Sequence, residues 1–190
     1  MNKDENLYIP NTEVFTEWKG WLNKRISSNP DTMLEMLLQC NLTKFEEELS
    51  TMIMESLSYF DTIDINLVER NYHFLMIGIL SPVRYHNYEL LSNREAGEGR
   101  FDVRIVPITE NVIYPTSIIM EFKVYKKNEK IIDNDEYEDE DEDKIERWLR
   151  KKSEEALAQI IKKKYCTGIQ TTKLVECGIA FQGKASMCVE

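Results

Sequence analysis

Residues 117–124 read Ser-Ile-Ile-Met-Glu-Phe-Lys-Val, an apolar run that carries a carboxylate and an ammonium two positions apart. Side chains alternate along a strand, so Glu121 and Lys123 project from one face, one step apart. Burying an unpaired charge is expensive, so such a pair needs a partner or a job. A second strand-like run, Gly-Arg-Phe-Asp-Val-Arg-Ile-Val-Pro at 99–107, also sets charged groups among apolar ones. An aspartate on one strand followed by Glu-x-Lys on the next suits hydrolysis of a phosphodiester by a divalent metal. Asp102 and Glu121 can hold a hard cation through oxygen. Lys123 can orient the attacking water or balance phosphate charge. The plain alternative is a structural salt bridge on a half-exposed sheet, because a lone Glu-x-Lys is common.

The hydrophobic period divides the chain. Asn11 or Thr12 is placed to cap a first helix bearing Val14, Phe15, Trp18 and Leu22, and Asp31 a short second one bearing Met33, Leu34, Leu37 and Leu38. Thr43 and Glu46 have capping-box spacing ahead of a third helix with Phe45, Leu49, Met52 and Ile53 at helical period. A fourth helix is expected from about Ile65 to Leu80, with Glu69 and His73 stacked one turn apart. The period then changes to two, and three strands are expected at Tyr85–Ser92, Gly99–Pro107 and Ser117–Tyr125. A long helix follows over Lys144–Tyr165, then a strand near Leu174–Gln182 and an edge strand at Ala185–Val189. The fold class read from this order is α/β. Residues 1–57 form a helical extension and 58–190 the main domain.

The 190 residues carry a formal charge of −10, unevenly placed. Residues 133–146 hold ten acids and one base, a local −9, leaving 24 acids against 23 bases elsewhere. Such a block is expected to be a solvated loop. The long helix carries two basic clusters, Arg150-Lys151-Lys152 and Lys162-Lys163-Lys164. Four cysteines without a Cys-x-x-Cys, and two histidines, argue against a zinc site. No apolar run reaches membrane-spanning length and no signal-peptide pattern opens the chain, so cytosol or nucleus is the expected compartment, with reduced thiols.

Five short motifs, taken in order, resemble the PD-(D/E)XK nuclease superfamily, and in particular a branch found behind AAA-like ATPase domains. They are Glu69-x-x-Tyr72-His73, the stretch Ser92–Asp102, Ile119-Met120-Glu121-Phe122-Lys123, Ala156-Leu157-Ala158-Gln159-Ile160 with Tyr165, and Gly178–Lys184. The resemblance covers most of Ser58–Lys184. It implies a restriction-endonuclease-like core of helix, three strands, helix and strand, and Mg²⁺- or Mn²⁺-dependent cleavage of nucleic acid, DNA before RNA. It further implies that Asp102 and Glu121 are the metal carboxylates, Glu69 the helix glutamate completing the shell, and Lys123 the catalytic lysine. Gln159 would face the site and Tyr165 would close one edge. Arg94, Arg100, Lys151, Lys152, Lys162, Lys163 and Tyr165 are the candidate contacts to nucleic acid. Phe101 stands where the superfamily's name has proline, as this branch commonly allows. The acidic run departs from the branch and bears on access of nucleic acid.

Tyr8–Val14 resembles the junction that follows the ATPase domain in longer relatives, yet no P-loop occurs in this chain. A stand-alone remnant and a piece of a longer protein are both compatible with that, with a second copy or an ATPase domain as partner. Two other readings remain open at this level. One is a catalytically silent module that keeps the fold for nucleic-acid or protein binding, against which the intact Asp102, Glu121 and Lys123 argue. The other is an RNA-acting nuclease, which no motif supports or excludes.

Overall fold

The computed structural model describes residues 30–56, 68–125 and 141–190. The expected first helix near Val14–Leu22, the expected start of the fourth helix at Ile65 and residues 133–140 of the acidic run lie outside these. The elements are helices α1 (Pro30–Leu38), α2 (Leu42–Ser56) and α3 (Val68–Leu80), a 3₁₀ turn (Ser81–His86), strands β1 (Tyr88–Ser92), β2 (Glu95–Ala96), β3 (Gly99–Arg100), β4 (Val103–Pro107) and β5 (Thr116–Val124), helix α4 (Asp141–Lys163), and strands β6 (Lys173–Gln182) and β7 (Ala185–Val189).

Several boundaries differ from the sequence expectation for local reasons. Helix α2 is capped by Asn41, whose Oδ1 accepts the Lys44 N–H at 3.4 Å, and not by Thr43. The first strand begins at Tyr88 rather than Tyr85, because Pro82 opens a 3₁₀ turn that ends at Asn87 with φ 63°. The expected strand over 99–107 is broken at Phe101 and Asp102. Its first two residues instead form a small hairpin with β2, and Gly97, at φ +56°, makes the turn. Helix α4 starts three residues early, at Asp141, and so takes in the end of the acidic run. It stops where Lys164 turns left-handed at φ 54°.

Five strands form one sheet in the order β1-β4-β5-β6-β7, with β5 and β6 parallel and the remaining pairs antiparallel. A parallel pair requires a crossover, and α4 provides it. Alternation along β5 then decides the layers. Ile118, Met120, Phe122 and Val124 join a core with Phe45, Leu49, Met52, Met76 and Ile79 from α2 and α3. The opposite face is covered by α4, where Ile119 and Phe101 pack on Ile160 and Tyr165, and Ala180 on Trp148 and Leu149. Helix α4 lies very close to the sheet at Gly178, where an added Cβ would fall 2.0 Å from Ser153 O and 2.6 Å from Leu157 N. This is the restriction-endonuclease-like α/β architecture, a mixed sheet with helices on both faces. Among the described residues no helix is long and apolar enough to cross a membrane, and all four cysteines are free thiols.

Candidate active site

The α4-facing side of β5 carries Ser117, Ile119, Glu121 and Lys123, by the same alternation that sends their neighbours to the core. Glu121 is buried, with only 6% of its side chain exposed. Its Oε1 accepts from Lys123 Nζ at 3.3 Å and from the Gln159 side-chain amide. Its Oε2 is buried and has no partner among the described residues. Gln159 also accepts from Lys123 Nζ at 2.7 Å and donates to the Tyr165 hydroxyl at 3.2 Å. One amide therefore touches the carboxylate, the ammonium and the phenol.

Asp102 lies in the step just before β4 rather than inside a strand. That step lets its Oδ2 accept the Phe122 N–H at 2.8 Å, across the β4–β5 seam. Burial raises the pKa of Asp102, while the Phe122 N–H and the nearby charges of His73 and Lys123 favour its ionised form. Burial, joined by the Asp102 charge, pushes the Glu121 pKa up to about 7. Two carboxylates thus share a poorly solvated place with a single lysine, which leaves the group one positive charge short of neutrality when both are ionised.

The described residues offer a divalent cation two carboxylates at this point, and no group of three or more His, Cys, Asp or Glu side chains converges as a metal cluster. Two suffice for a hard ion such as Mg²⁺, which is usually held by one or two carboxylates and keeps several waters. The unpartnered, buried Oε2 of Glu121 is the observation that fits such an ion. Its carboxylate is otherwise half satisfied in a place where charge is penalised.

Glu69 sits exposed on the first turn of α3. Its charge is felt at Asp102, where it opposes ionisation, but it does not join a three-carboxylate cluster. His73, one turn on, lies 2.7 Å from Ser92 Oγ and 3.0 Å from Asn93 Nδ2 through Nε2, and packs edge-on against Phe122. Arg94 and Arg100 are exposed on the hairpin beside β1. On α4, Lys151 and Lys162 are exposed, Lys163 is half-buried and Lys152 pairs with Glu155 at 2.9 Å. The neighbouring Arg150 and Lys164 pair with Glu146 and Glu98 at 3.1 and 2.7 Å.

The sequence model of the PD-(D/E)XK nuclease superfamily matches residues 67–190, well over half of the chain. The chain belongs to the PD-(D/E)XK nuclease superfamily. Comparison with curated proteins gave no match, and comparison with solved structures gave none. The superfamily match begins one residue before α3 and takes in every residue of the cluster just described. Helices α1 and α2 stand outside it.

One residue of this superfamily member was left without a role by its sequence. Arg104 is 8% exposed on β4, and its guanidinium donates to the Tyr165 carbonyl. Its signal was present, as a basic residue in the apolar run Val-Arg-Ile-Val. Its partner is 61 positions away in the chain, which no local pattern reveals.

Proposed function

We propose that this protein is a divalent-metal-dependent nuclease that hydrolyses phosphodiester bonds, with DNA as the substrate to test first. The observation that carries this reading is the bare, buried Oε2 of Glu121 beside Asp102, with Lys123 held in contact by Gln159. Asp102 and Glu121 would hold the ion, with Glu69 as a further acidic group near Asp102. Mg²⁺ or Mn²⁺ bound there would supply charge neutralisation at the phosphate and a more acidic bound water.

The remaining roles belong to side chains. Lys123 presents a compact positive charge at the point where the phosphate gains negative charge. Gln159 fixes that ammonium and the inner oxygen of Glu121 in one arrangement, so neither has to reorganise during reaction. Tyr165 buttresses the amide from the other side. Arg94, Arg100, Lys151 and Lys162, exposed around the cluster, are the candidates to bind the nucleic-acid backbone, with Lys152 and Lys163 nearer the helix's buried edge.

The test is incubation with single- and double-stranded DNA and RNA, in Mg²⁺, in Mn²⁺ and in EDTA, beside Asp102→Ala, Glu121→Ala and Lys123→Ala. The two carboxylate variants are expected to lose metal-dependent cleavage with the fold intact. Lys123→Ala should lose turnover while still binding metal. Wild-type cleavage by Glu121→Ala would sink the mechanism. Binding without cleavage by the wild type would favour a silent nuclease-fold module.

A further inference from the structure

The outer side of α3 extends the candidate site in a second direction. Residues three and four apart lie together on a helix surface, so Arg70, His73, Phe74 and Ile77 form one contiguous patch. His73 is its edge toward the site, with Nε2 2.7 Å from Ser92 Oγ and 3.0 Å from Asn93 Nδ2. The Asn93 N–H in turn donates to the Asp102 carbonyl at 3.0 Å. Phe74 is the opposite edge, and 63% of it is exposed. The Arg70 guanidinium carbon lies 5.9 Å from its ring centroid.

Ile77, between these edges, borders a surface groove of about 430 Å³ lined also by Arg84, Glu89, Leu90, Ser92 and Arg94. The groove follows the outer edge of β1, which among the described residues has no strand beyond it. Arg84 and Arg94 are exposed. Arg84 reaches the strand edge itself, where Nη2 donates to the Leu90 carbonyl at 3.4 Å. Arg94 makes no ion pair among the described residues. With Arg70 on the helix above, three guanidinium groups stand around a groove whose lining holds one carboxylate, Glu89.

A single exposed aromatic side chain is ordinary on a protein surface. This one stands beside a positive groove that ends at Ser92, the neighbour of the residue hydrogen-bonded to Asp102. Guanidinium groups match phosphate, and an aromatic face stacks on any base. The bases of an intact duplex are already stacked, whereas an unpaired strand can turn one outward. An apolar peptide would leave the arginines unanswered. A second copy of the chain would bring the same positive patch to both sides of a two-fold interface.

We infer that the groove between α3 and β1 holds an unpaired nucleic-acid strand leading to Asp102, with a base stacked on Phe74 and phosphates on Arg84 and Arg94. The inference rests on the nuclease reading and names the form of substrate which that site receives.

The full chain is titrated in EDTA with labelled single-stranded DNA, single-stranded RNA, a duplex of the same sequence, and a single strand carrying abasic sites. Single strands should bind more tightly than the duplex, and the tighter of DNA and RNA identifies the sugar. Phe74→Ala should keep the unfolding midpoint of the parent and weaken single-strand binding about tenfold, the size of one base–aromatic stack. Phe74→Leu, which keeps apolar bulk without a ring, should weaken it as well, and Phe74→Trp should retain it. Parent and Phe74→Ala should bind the abasic strand alike. Arg84→Gln and Arg94→Gln should each lower affinity and reduce the salt slope by about 0.7. Four results would overturn the inference: Phe74→Ala and Phe74→Leu binding single strands as tightly as the parent, a duplex bound as tightly as the single strands, no binding of any strand, or a parent dimer that Phe74→Ala dissociates. Cleavage in Mg²⁺ is assayed separately. Cleavage alongside any of these four results removes the groove and leaves the nuclease reading, while tight single-strand binding without cleavage does the reverse.

Discussion

Lys123 Nζ lies 2.7 Å from the Gln159 side-chain oxygen, nearer than the 3.3 Å that separates it from Glu121 Oε1. The lysine of the Glu-x-Lys pair is therefore held as much by an amide from α4 as by its strand neighbour. The same amide also donates to Glu121, so it bridges both members of the ion pair that Lys123 and Glu121 form. A residue on a helix thus sets the geometry of two residues on a strand.

Gln159→Met should for that reason reduce turnover by about 10²-fold, the usual size of an effect from misplaced reacting groups. KM should change little, since Gln159 is not an exposed backbone contact. Steady-state kinetics on an oligonucleotide would show the split. An equal fall in affinity and no change in kcat would place Gln159 in binding instead.

The second expectation concerns pH. The Glu121 pKa is raised from 4.5 to about 7 by burial and by the Asp102 charge. A carboxyl with a raised native pKa holds its proton in the folded state while the unfolded chain has lost it. Stability of the metal-free protein should then fall as pH rises from about 4.5 to about 7, and level off above. The raised pKa of Asp102 acts in the same direction. Denaturant titrations in EDTA at pH 5 and pH 8 would measure the difference, and Glu121→Gln should remove most of it.

Metal affinity should run the opposite way across the same window. Binding requires the deprotonated carboxylate, so each pH unit below about 7 should weaken Mg²⁺ binding roughly tenfold. Calorimetric titration at pH 5.5, 6.5 and 7.5 decides the matter. A flat profile would mean that Glu121 is not a ligand.

The parts of this fold that were legible in the sequence are those set by local period. Glu121 and Lys123 lie on one face of β5 because strand alternation leaves no other choice. The apolar stripe Phe45, Leu49, Met52 marked its helix correctly even though the cap was misplaced from Asn41 to Thr43. Asp102 was less legible, because a residue in a break between β3 and β4 carries no period at all. The start of β1 was missed because a 3₁₀ turn and a left-handed Asn87 intervene where Tyr85 and His86 mimic a strand. The link from Arg104 to the Tyr165 carbonyl was invisible for a different reason. Such a contact is decided by the docking of α4 across the sheet, not by either segment alone.

That docking gives a prediction about distance from the chemistry. A methyl at position 178 would fall inside contact distance of the α4 backbone, which cannot yield as a flexible side chain can. Gly178→Ala should lower stability by about 1–3 kcal/mol, as overpacking generally does. It should also lift Gln159 away from Glu121, since the clash at Ser153 and Leu157 lies within two turns of it on the same helix. Nuclease activity should fall by more than the loss of folded protein explains. Specific activity corrected for folded fraction is the readout, and an unchanged value would show that α4 can shift without disturbing the cluster.

The last prediction concerns residues 133–140, which hold six acids and no base and precede α4 directly. Strand β5, which carries Glu121 and Lys123, ends at Val124, so this charge is tethered to the same strand as the candidate site. Negative charge there opposes the approach of a phosphate backbone over a Debye length, about 8 Å at physiological salt. The basic residues available to counter it are partly neutralised already, with Arg150, Lys152 and Lys164 each paired to a glutamate. Replacing 133–140 with a neutral linker of equal length keeps α4 from its first residue and removes only the charge. Nucleic-acid affinity should then rise several-fold at low salt and converge with the parent as salt screens the difference. Binding titrations of both proteins at two salt concentrations test this. Equal affinities at low salt would mean that the acidic run does not face the path of the substrate, and that access to Asp102 and Glu121 is set by the exposed arginines and lysines alone.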